Sequence, residues 1–205
     1  MIVSEPYKLV FVRYPKCGTV SVLRGLNLTV YTDQTPNRSS LLNFVLNSTG
    51  KSYDDPHHIP FFEFNKLFPD KKVSNYFSFS FTRNPWDRIV SGWHYRKTVA
   101  KDWMQAKGSD GSFKYFVNNI DNIWSALGMN TLDFAQGCQF IGKFENFQND
   151  FDIVCDKINI PRKKLERWNV TKHEPYTEYY DDETREIIAE KYAKDIEYFG
   201  YKFGE

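Results

Sequence analysis

A lysine, a glycine and two hydroxyl residues follow the first apolar run of this sequence. Residues 9–12 have the composition of a buried strand, which Pro15 ends because proline donates no ladder hydrogen bond. An apolar-periodic segment that indicates a helix begins directly afterwards. A strand, a tight loop and a helix together present backbone N–H groups and a cation to an anion. The candidate anion ligands are Lys16, Gly18, Thr19 and Ser21.

This loop differs from the phosphate loop of nucleoside triphosphatases. In that loop the lysine follows the second glycine, whereas here Lys16 precedes Gly18. A lysine in a strand–turn–helix connection is also common without any ligand. The interpretation of the first loop as an anion site therefore needs support from a second part of the chain.

A second strand, loop and helix lie about 60 residues further on. Residues 76–82 alternate aromatic and hydroxyl side chains, which predicts a strand with one packed face. Arg83 follows that strand. Asn84 is a good N-cap, Pro85 suits the first helical position, and Asp87 can close a capping arrangement. The sequence thus predicts two anion-binding loops on two strand–helix units.

The remaining pattern predicts a single α/β domain spanning residues 1–205, with long connections at 28–75 and 98–131. Within the second connection we predict a loop and one helix at residues 113–120. The other predicted elements are strands at 7–13 and 139–144, and helices at 19–27, from 145 onwards, and at 183–199 ending at Gly200.

The composition limits the classes of partner. The net charge of +1 offers no broad electrostatic attraction to nucleic acid or to an anionic membrane. The chain shows no signal peptide and no apolar run long enough to span a bilayer, so we expect a cytoplasmic protein. Three widely spaced cysteines form no zinc or disulfide pattern. Cys17 is either a thiol of low pKa or a small residue that fits the turn.

Two motifs together resemble those of the sulfotransferases that use 3′-phosphoadenosine 5′-phosphosulfate (PAPS). Residues 14–19 are similar to the loop that binds the 5′-phosphosulfate, and residues 83–91 are similar to the 3′-phosphate site. Residues 142–147 and the C-terminal segments 181–184, 195–196 and 199–201 are similar to the carbohydrate (Golgi-type) branch, family 2. The tripeptide at residues 17–19 is closer to the cytosolic branch, which takes phenols, steroids and amines.

The resemblance implies a P-loop-like α/β fold with a mostly parallel central sheet flanked by helices. It implies PAPS as donor, 3′-phosphoadenosine 5′-phosphate (PAP) as product and no metal. The acceptor carries a free hydroxyl, and we expect a saccharide; a small phenol, alcohol or amine is the alternative. The long connections at 28–75 and 98–131 would then lie on the acceptor side of the site. A non-catalytic nucleotide-binding module and a nucleotide-dependent phosphotransferase are the rival classes. A Golgi lumenal location would follow only if this chain is a trimmed catalytic fragment.

The resemblance also implies roles for individual residues. Lys16 would stabilise the oxygen that bridges phosphorus and sulfur as it gains charge. Arg83 would bind the 3′-phosphate in bidentate fashion, with Ser91 two helical turns further on. The implied donor-binding set is Lys16, Cys17, Gly18, Thr19, Val20, Ser21, Arg83, Ser91, Lys172 and His173.

The acceptor hydroxyl must lose a proton, and several side chains could take it. A histidine titrates near neutral pH and suits this task. Residues 58–64 are similar to the histidine-containing segment of the uronyl 2-O-sulfotransferases, which implies that His58 is the general base. Glu63 is the second candidate, because other branches use a glutamate. The other candidates are His57, His94 and His173.

Overall fold

The structure is a computed structural model, and it describes residues 1–28, 58–63, 75–99, 104–105, 108–168 and 173–205. Two residues that the sequence marks as candidates, His57 and Lys172, lie outside the described residues. So does most of the predicted connection at residues 28–75.

The described strands form one four-stranded sheet with the order β1-β2-β3-β4. β1 pairs with β2 in antiparallel fashion, and both β2–β3 and β3–β4 are parallel. The predicted α/β fold with a mostly parallel sheet is confirmed. β1 is an element that the sequence did not predict, since its three residues are too few to show an alternating pattern. The strands are β1 Ile2–Ser4, β2 Leu9–Phe11, β3 Phe77–Thr82 and β4 Phe140–Lys143.

The predicted helices are present, but two of them are divided. The predicted helix at 113–120 is the first of four short helices, and the predicted helix at 183–199 is two helices that meet at Tyr192. The helices are α1 Thr19–Gly25, α2 Pro85–Val99, α3 Phe113–Asn118, α4 Ile120–Ile123, α5 Ser125–Gly128, α6 Thr131–Phe134, α7 Phe147–Lys157, α8 Asp182–Lys191 and α9 Ala193–Phe199. Two 3-10 helices add Phe144–Asn146 and Tyr176–Tyr179, and residues 61–63 form a helical turn.

β3 is buried on both faces, whereas its alternating sequence predicts one packed face. Phe79, Ser80 and Thr82 are each fully buried. The hydroxyls tolerate burial because each is hydrogen-bonded: Ser80 Oγ donates to the Val12 carbonyl at 2.8 Å, and Thr82 Oγ1 lies 2.9 Å from Thr131 Oγ1. The alternation in β3 therefore places rings on one face and hydroxyls on the other, and both faces are buried.

The parallel strands bring three loops to one edge of the sheet. β2, β3 and β4 run in the same direction, so the residues that follow them share the carboxyl edge. Lys16, Arg83 and Glu145 all lie in or just beyond these connections. Ligands of open α/β sheets bind at this edge. Among the helices that the structure describes, none is long and apolar enough to cross a membrane.

Candidate active site

Lys16 has a left-handed backbone and a half-buried side chain. Its φ is 65°, which is uncommon for a residue with a Cβ. Its Nζ lies 4.3 Å from the centre of the Tyr95 ring, within the range of a cation–π contact. Tyr95 is 37% exposed, so the Lys16 ammonium packs against a residue that is open to solvent.

The surroundings of Lys16 lower the pKa of its ammonium from 10.5 to about 8. Burial is the larger cause, because it disfavours the charged form, and the nearby Arg83 cation adds to the effect. Keeping the Lys16 ammonium charged at neutral pH therefore costs free energy, and a bound anion would reduce that cost.

Gly18 is required by packing as well as by the backbone. It forms the N-cap of α1 with φ 71°. A Cβ at this position would lie 2.5 Å from Cζ of Phe147 and 3.1 Å from the ring of Phe144. The glycine therefore lets the loop pack against the chain that follows β4, in addition to any approach to an anion.

Arg83 reaches across the edge to the first loop. Its Nη1 donates to the carbonyl of Lys16 at 3.2 Å, although the two residues are 67 positions apart. Its Nε and Nη2 both lie 2.7 Å from Oδ2 of Asp87. The guanidinium carbon lies 4.5 Å from the centre of the Phe144 ring. The two predicted anion-binding loops are therefore in direct contact.

The start of α2 is capped as predicted at Asn84, but not at Asp87. The Asn84 side chain accepts the N–H of Trp86 at 3.1 Å. Asp87 does not complete a capping box, because its carboxylate pairs with Arg83 and the Asn84 N–H donates instead to Glu145 at 2.6 Å. The Asn84 amide also donates to the carbonyl of Lys202 at 3.1 Å, which ties the C-terminal residues to this motif.

Ser91 lies where the sequence predicts it, about two turns into α2. It is 7% exposed. Tyr95 follows it by four residues, so the two side chains share one face of the helix. Since Tyr95 contacts Lys16, this face of α2 is turned toward the first loop.

His58 also reaches the first loop. Its Nδ1 lies 2.5 Å from the carbonyl of Arg13, which is three residues before Lys16. A carbonyl can only accept, so Nδ1 carries the proton in neutral His58 and the lone pair is on Nε2. The imidazole is 7% exposed and meets the Trp124 ring edge-on at 6.0 Å. Trp124 in turn lies 5.8 Å from Tyr95, so rings connect His58 with Lys16.

Glu63 and Cys17 are both deeply buried. Glu63 is 3% exposed and lies on the helical turn at residues 61–63. Burial raises the pKa of the Cys17 thiol to about 12, and its Sγ lies 3.5 Å from the Pro15 carbonyl. The interpretation of Cys17 as a thiol of low pKa is therefore wrong, and the interpretation as a small residue that fits the turn agrees with the structure.

Of the other predicted residues of the first loop, some are partly exposed and one is buried. Thr19 and Val20, at the start of α1, are partly exposed. Ser21 is buried, and its Oγ accepts the backbone N–H of Trp168 at 3.1 Å. The guanidinium of Arg24 lies 3.5 Å from the centre of the Trp168 ring. The segment that leads toward residue 168 thus packs along α1.

His173 packs against α2. Its ring stacks on His94 with centroids 5.0 Å apart and an interplanar angle of 11°. Burial lowers the pKa of His94, and the neighbouring His173 and Lys97 lower it further. His94 lies three residues after Ser91, so His173 reaches the turn of α2 next to Ser91. His94 was one of the candidate bases, and its ring stacking on His173 is typical of a structural role.

Three residues of this edge were not singled out by the sequence: Tyr95, Trp124 and Glu145. Tyr95 could have been found, because it follows Ser91 by one helical turn. Trp124 could not, since its neighbours at the site are far away in sequence, and Glu145 lies in the family-like segment 142–147 although its contact with Asn84 was not predictable. Within the described ranges, no group of three or more His, Cys, Asp or Glu side chains is arranged to hold a metal ion.

The fold and the site define an α/β protein that places a lysine and an arginine at the carboxyl edge of a mostly parallel sheet. A family model described as "Sulfotransferase family" matches residues 1–202. The chain belongs to that family, which supports a transferase of sulfuryl groups.

Two individual proteins are similar to this chain. An uncharacterised protein of Archaeoglobus fulgidus is 30% identical over 111 residues, which are 52% of this chain and 87% of that protein. The crystal structure of a sulfotransferase from Alicyclobacillus acidocaldarius aligns with a TM-score of 0.48 and 14% identity, covering 96% of each chain.

Proposed function

We propose that this protein transfers a sulfuryl group from PAPS to a hydroxyl of a saccharide. The contact between Arg83 Nη1 and the Lys16 carbonyl carries the proposal, because it joins two cationic loops at the edge where sheets of this type bind ligands. PAPS has anionic groups at two ends, and two adjacent cationic sites suit such a molecule. The membership of the sulfotransferase family supports the same reaction.

The residues present fit this donor. Lys16 holds a desolvated ammonium, and Gly18 beside it has no side chain, so the loop can pack closely against Phe147 and keep that ammonium at the carboxyl edge. We assign the phosphosulfate end to Lys16, Gly18 and Thr19, and the 3′-phosphate end to Arg83 and Ser91. The donor supplies the sulfuryl group, and the chain supplies orientation and neutralisation of charge.

Lys16 acts as the electrostatic catalyst in this proposal. Charge develops on the oxygen between phosphorus and sulfur as the bond to sulfur breaks. A fixed ammonium there stabilises the transition state more than the ground state, since the charge is greatest at the transition state. The contact with Tyr95 restricts the Lys16 side chain before the donor arrives.

His58 acts as the general base in this proposal. Its Nδ1–H is bonded to the Arg13 carbonyl, which restrains the ring and puts the lone pair on Nε2, the atom that would take the proton of the acceptor hydroxyl. The same carbonyl stabilises the imidazolium that forms. Glu63 is the second candidate for this role.

The acceptor would bind beside Tyr95. This residue is 37% exposed, and its ring lies next to the Lys16 ammonium. A saccharide has an apolar ring face that can stack on such a ring. A phenol could stack on Tyr95 too, so transfer from PAPS to a panel of sugars and phenols would separate the two acceptor classes.

Calorimetric titration with PAP tests the donor assignment. We expect PAP to bind and ATP to bind much more weakly, because ATP lacks the 3′-phosphate. Binding of ATP in preference to PAP would refute the proposal and favour a phosphotransferase. Binding of PAP without transfer to any acceptor would favour a non-catalytic nucleotide-binding module.

We predict a falling limb in the pH profile that belongs to Lys16. The pKa of Lys16 is about 8 in the free protein, so kcat/KM for the donor should fall about tenfold per pH unit above that value. The anionic donor raises the pKa of Lys16 once bound, so the limb of kcat should lie at higher pH. Initial rates between about pH 6 and pH 10 measure both. Falling limbs of kcat/KM and kcat at the same pH would contradict the assignment of this titration to Lys16.

Replacing His58 by glutamine should remove the base without weakening donor binding. We expect kcat to fall by about 10²–10⁴-fold, the usual contribution of a general base, while the dissociation constant of PAP stays within about twofold. Glu63→Gln is the matched comparison. If Glu63→Gln lost the larger share of kcat with PAP binding intact, the base would be Glu63.

A further inference from the structure

The guanidinium of Arg83 is held in the described structure on three sides. Nε and Nη2 both donate to Oδ2 of Asp87 at 2.7 Å, and Nη1 donates to the Lys16 carbonyl at 3.2 Å. The Phe144 ring covers one face at 4.5 Å. These contacts restrain the plane of the guanidinium, so its orientation is defined before any ligand binds.

The arrangement leaves donors for a ligand. A guanidinium has five N–H groups, and the contacts to Asp87 and Lys16 use one on each nitrogen. One N–H on each of Nη1 and Nη2 is not used by these contacts. A guanidinium uses N–H groups on two of its nitrogens to bind phosphate in bidentate fashion.

The pair with Asp87 differs from an ordinary surface ion pair. The side chains of Arg83 and Asp87 are 13% and 24% exposed, whereas those of Arg162 and Asp156 in a similar pair are 62% and 50% exposed. A carboxylate beside an anion site weakens its positive field, so Asp87 does not serve attraction. Its two contacts to Arg83 serve orientation instead.

We propose that Asp87 is a positioning residue that orients Arg83, and that Arg83 couples the 3′-phosphate end of the donor to the backbone of Lys16. The inference rests on the proposed function, because it assigns the 3′-phosphate to Arg83. It adds a residue outside the ligand contacts and a physical link between the two ends of the donor site.

The link acts on a strained part of the loop. Lys16 has a φ of 65°, which a residue with a Cβ adopts at an energetic cost. Two hydrogen bonds join its carbonyl to the Asp87 carboxylate through Arg83. If the guanidinium turns away, the Lys16 peptide loses this restraint, and its ammonium is no longer held where the leaving oxygen lies. Loss of Asp87 should therefore lower kcat as well as the affinity for the donor.

The experiment compares Asp87→Ala with Asp156→Ala, which removes the exposed partner of Arg162. PAP and adenosine 5′-phosphate, which lacks the 3′-phosphate, are titrated calorimetrically into each variant. We expect Asp87→Ala to lose about tenfold in PAP affinity, the effect of misplacing one charge-assisted hydrogen bond. Adenosine 5′-phosphate meets only the Lys16 end of the site, so its affinity should fall by less than that of PAP. kcat at saturating PAPS should also fall by about tenfold or more.

The outcomes are distinguishable. If the parent protein does not bind PAP, the proposed function fails and the inference fails with it. If the parent binds PAP but Asp87→Ala keeps the same preference over adenosine 5′-phosphate and the same kcat, only the inference is overturned. Equal weakening of both nucleotides together with a lower melting temperature would show a merely structural role and would also overturn it.

Asp87→Asn provides a second variant if the alanine variant does not fold. The amide oxygen can still accept from Arg83 but carries no charge, so the defect should be smaller and of the same kind. Asp87→Glu restores the charge and should recover part of kcat. Failure of both substitutions to change the PAP preference and kcat of a folded protein would overturn the inference.

Discussion

Replacing Lys16 by methionine should abolish most turnover and at the same time stabilise the protein. Methionine keeps the length of the side chain and its contact with Tyr95 but removes the cation. We expect kcat to fall by about 10³-fold, the size of effect seen when one electrostatic contact to a transition state is lost. Turnover of PAPS with a competent acceptor measures this loss, and kcat within about tenfold of the parent would show that Lys16 is misassigned.

The gain in stability follows from the pKa of Lys16. Its pKa is about 8 in the folded protein and 10.5 in the unfolded chain, so holding the charged form in the folded site costs free energy below about pH 8. Removing the ammonium should raise the free energy of unfolding at pH 7 by about 1–3 kcal/mol. For a chain of this size, each kcal/mol gained in the free energy of unfolding should raise Tm by roughly 2–4 °C.

The pH dependence provides an internal check on that gain. Between pH 8 and 10.5 the unfolded chain binds a proton that the folded protein has lost, so the parent gains stability as pH rises. The difference in Tm between Lys16→Met and the parent should therefore be largest near pH 7 and shrink above pH 8. A difference that does not change with pH would contradict this account.

Lys97→Met is the matched control for Lys16→Met. Lys97 also places its Nζ over an aromatic ring, 4.7 Å from the centre of the Trp93 ring, but its side chain is exposed. Loss of this lysine should leave both kcat and Tm close to the parent values. Equal effects at Lys97 and Lys16 would show that a general loss of charge is responsible.

Replacing Gly18 by alanine should destabilise the protein by about 2–4 kcal/mol, through two separable causes. The left-handed backbone, with φ 71°, opposes any Cβ. In addition, the new Cβ would lie 2.5 Å from Cζ of Phe147, so the ring or the loop must move. Midpoints of urea unfolding measure the total effect.

Gly200→Ala separates the two causes. Gly200 has nearly the same φ, 68°, and a Cβ there would meet nothing within 4 Å. We expect it to lose only the backbone contribution, about 1–2 kcal/mol. If the two variants were equally unstable, the contact with Phe147 would have no energetic weight. Adding Phe147→Leu to Gly18→Ala should recover part of the steric cost.

The Gly18 substitution also tests the loop as a donor site. Movement of the loop away from Phe147 would displace the backbone N–H groups next to Lys16. PAP binding to Gly18→Ala should therefore weaken more than binding to Gly200→Ala. Unchanged PAP affinity in a folded Gly18→Ala protein would indicate that the donor does not contact this loop.

The sequence alone determined the local features of this protein. β2, β3 and α2 were predictable because apolar runs, ring–hydroxyl alternation and an Asn-Pro helix start are properties of short segments. The two cationic loops, and their resemblance to the sulfotransferase motifs, were predictable for the same reason. The positions of Lys16 and Arg83 at strand ends follow directly from those segments.

Tertiary structure decided how these features meet. The contact between Arg83 and the Lys16 carbonyl could not be predicted from the sequence, because it depends on parallel pairing of β2 with β3. It also misassigned Asp87 to a helix cap, since Glu145 from the third loop accepts the Asn84 N–H instead. Contacts between residues far apart in sequence are set by sheet order and packing. They cannot be predicted from the pattern of a single short segment.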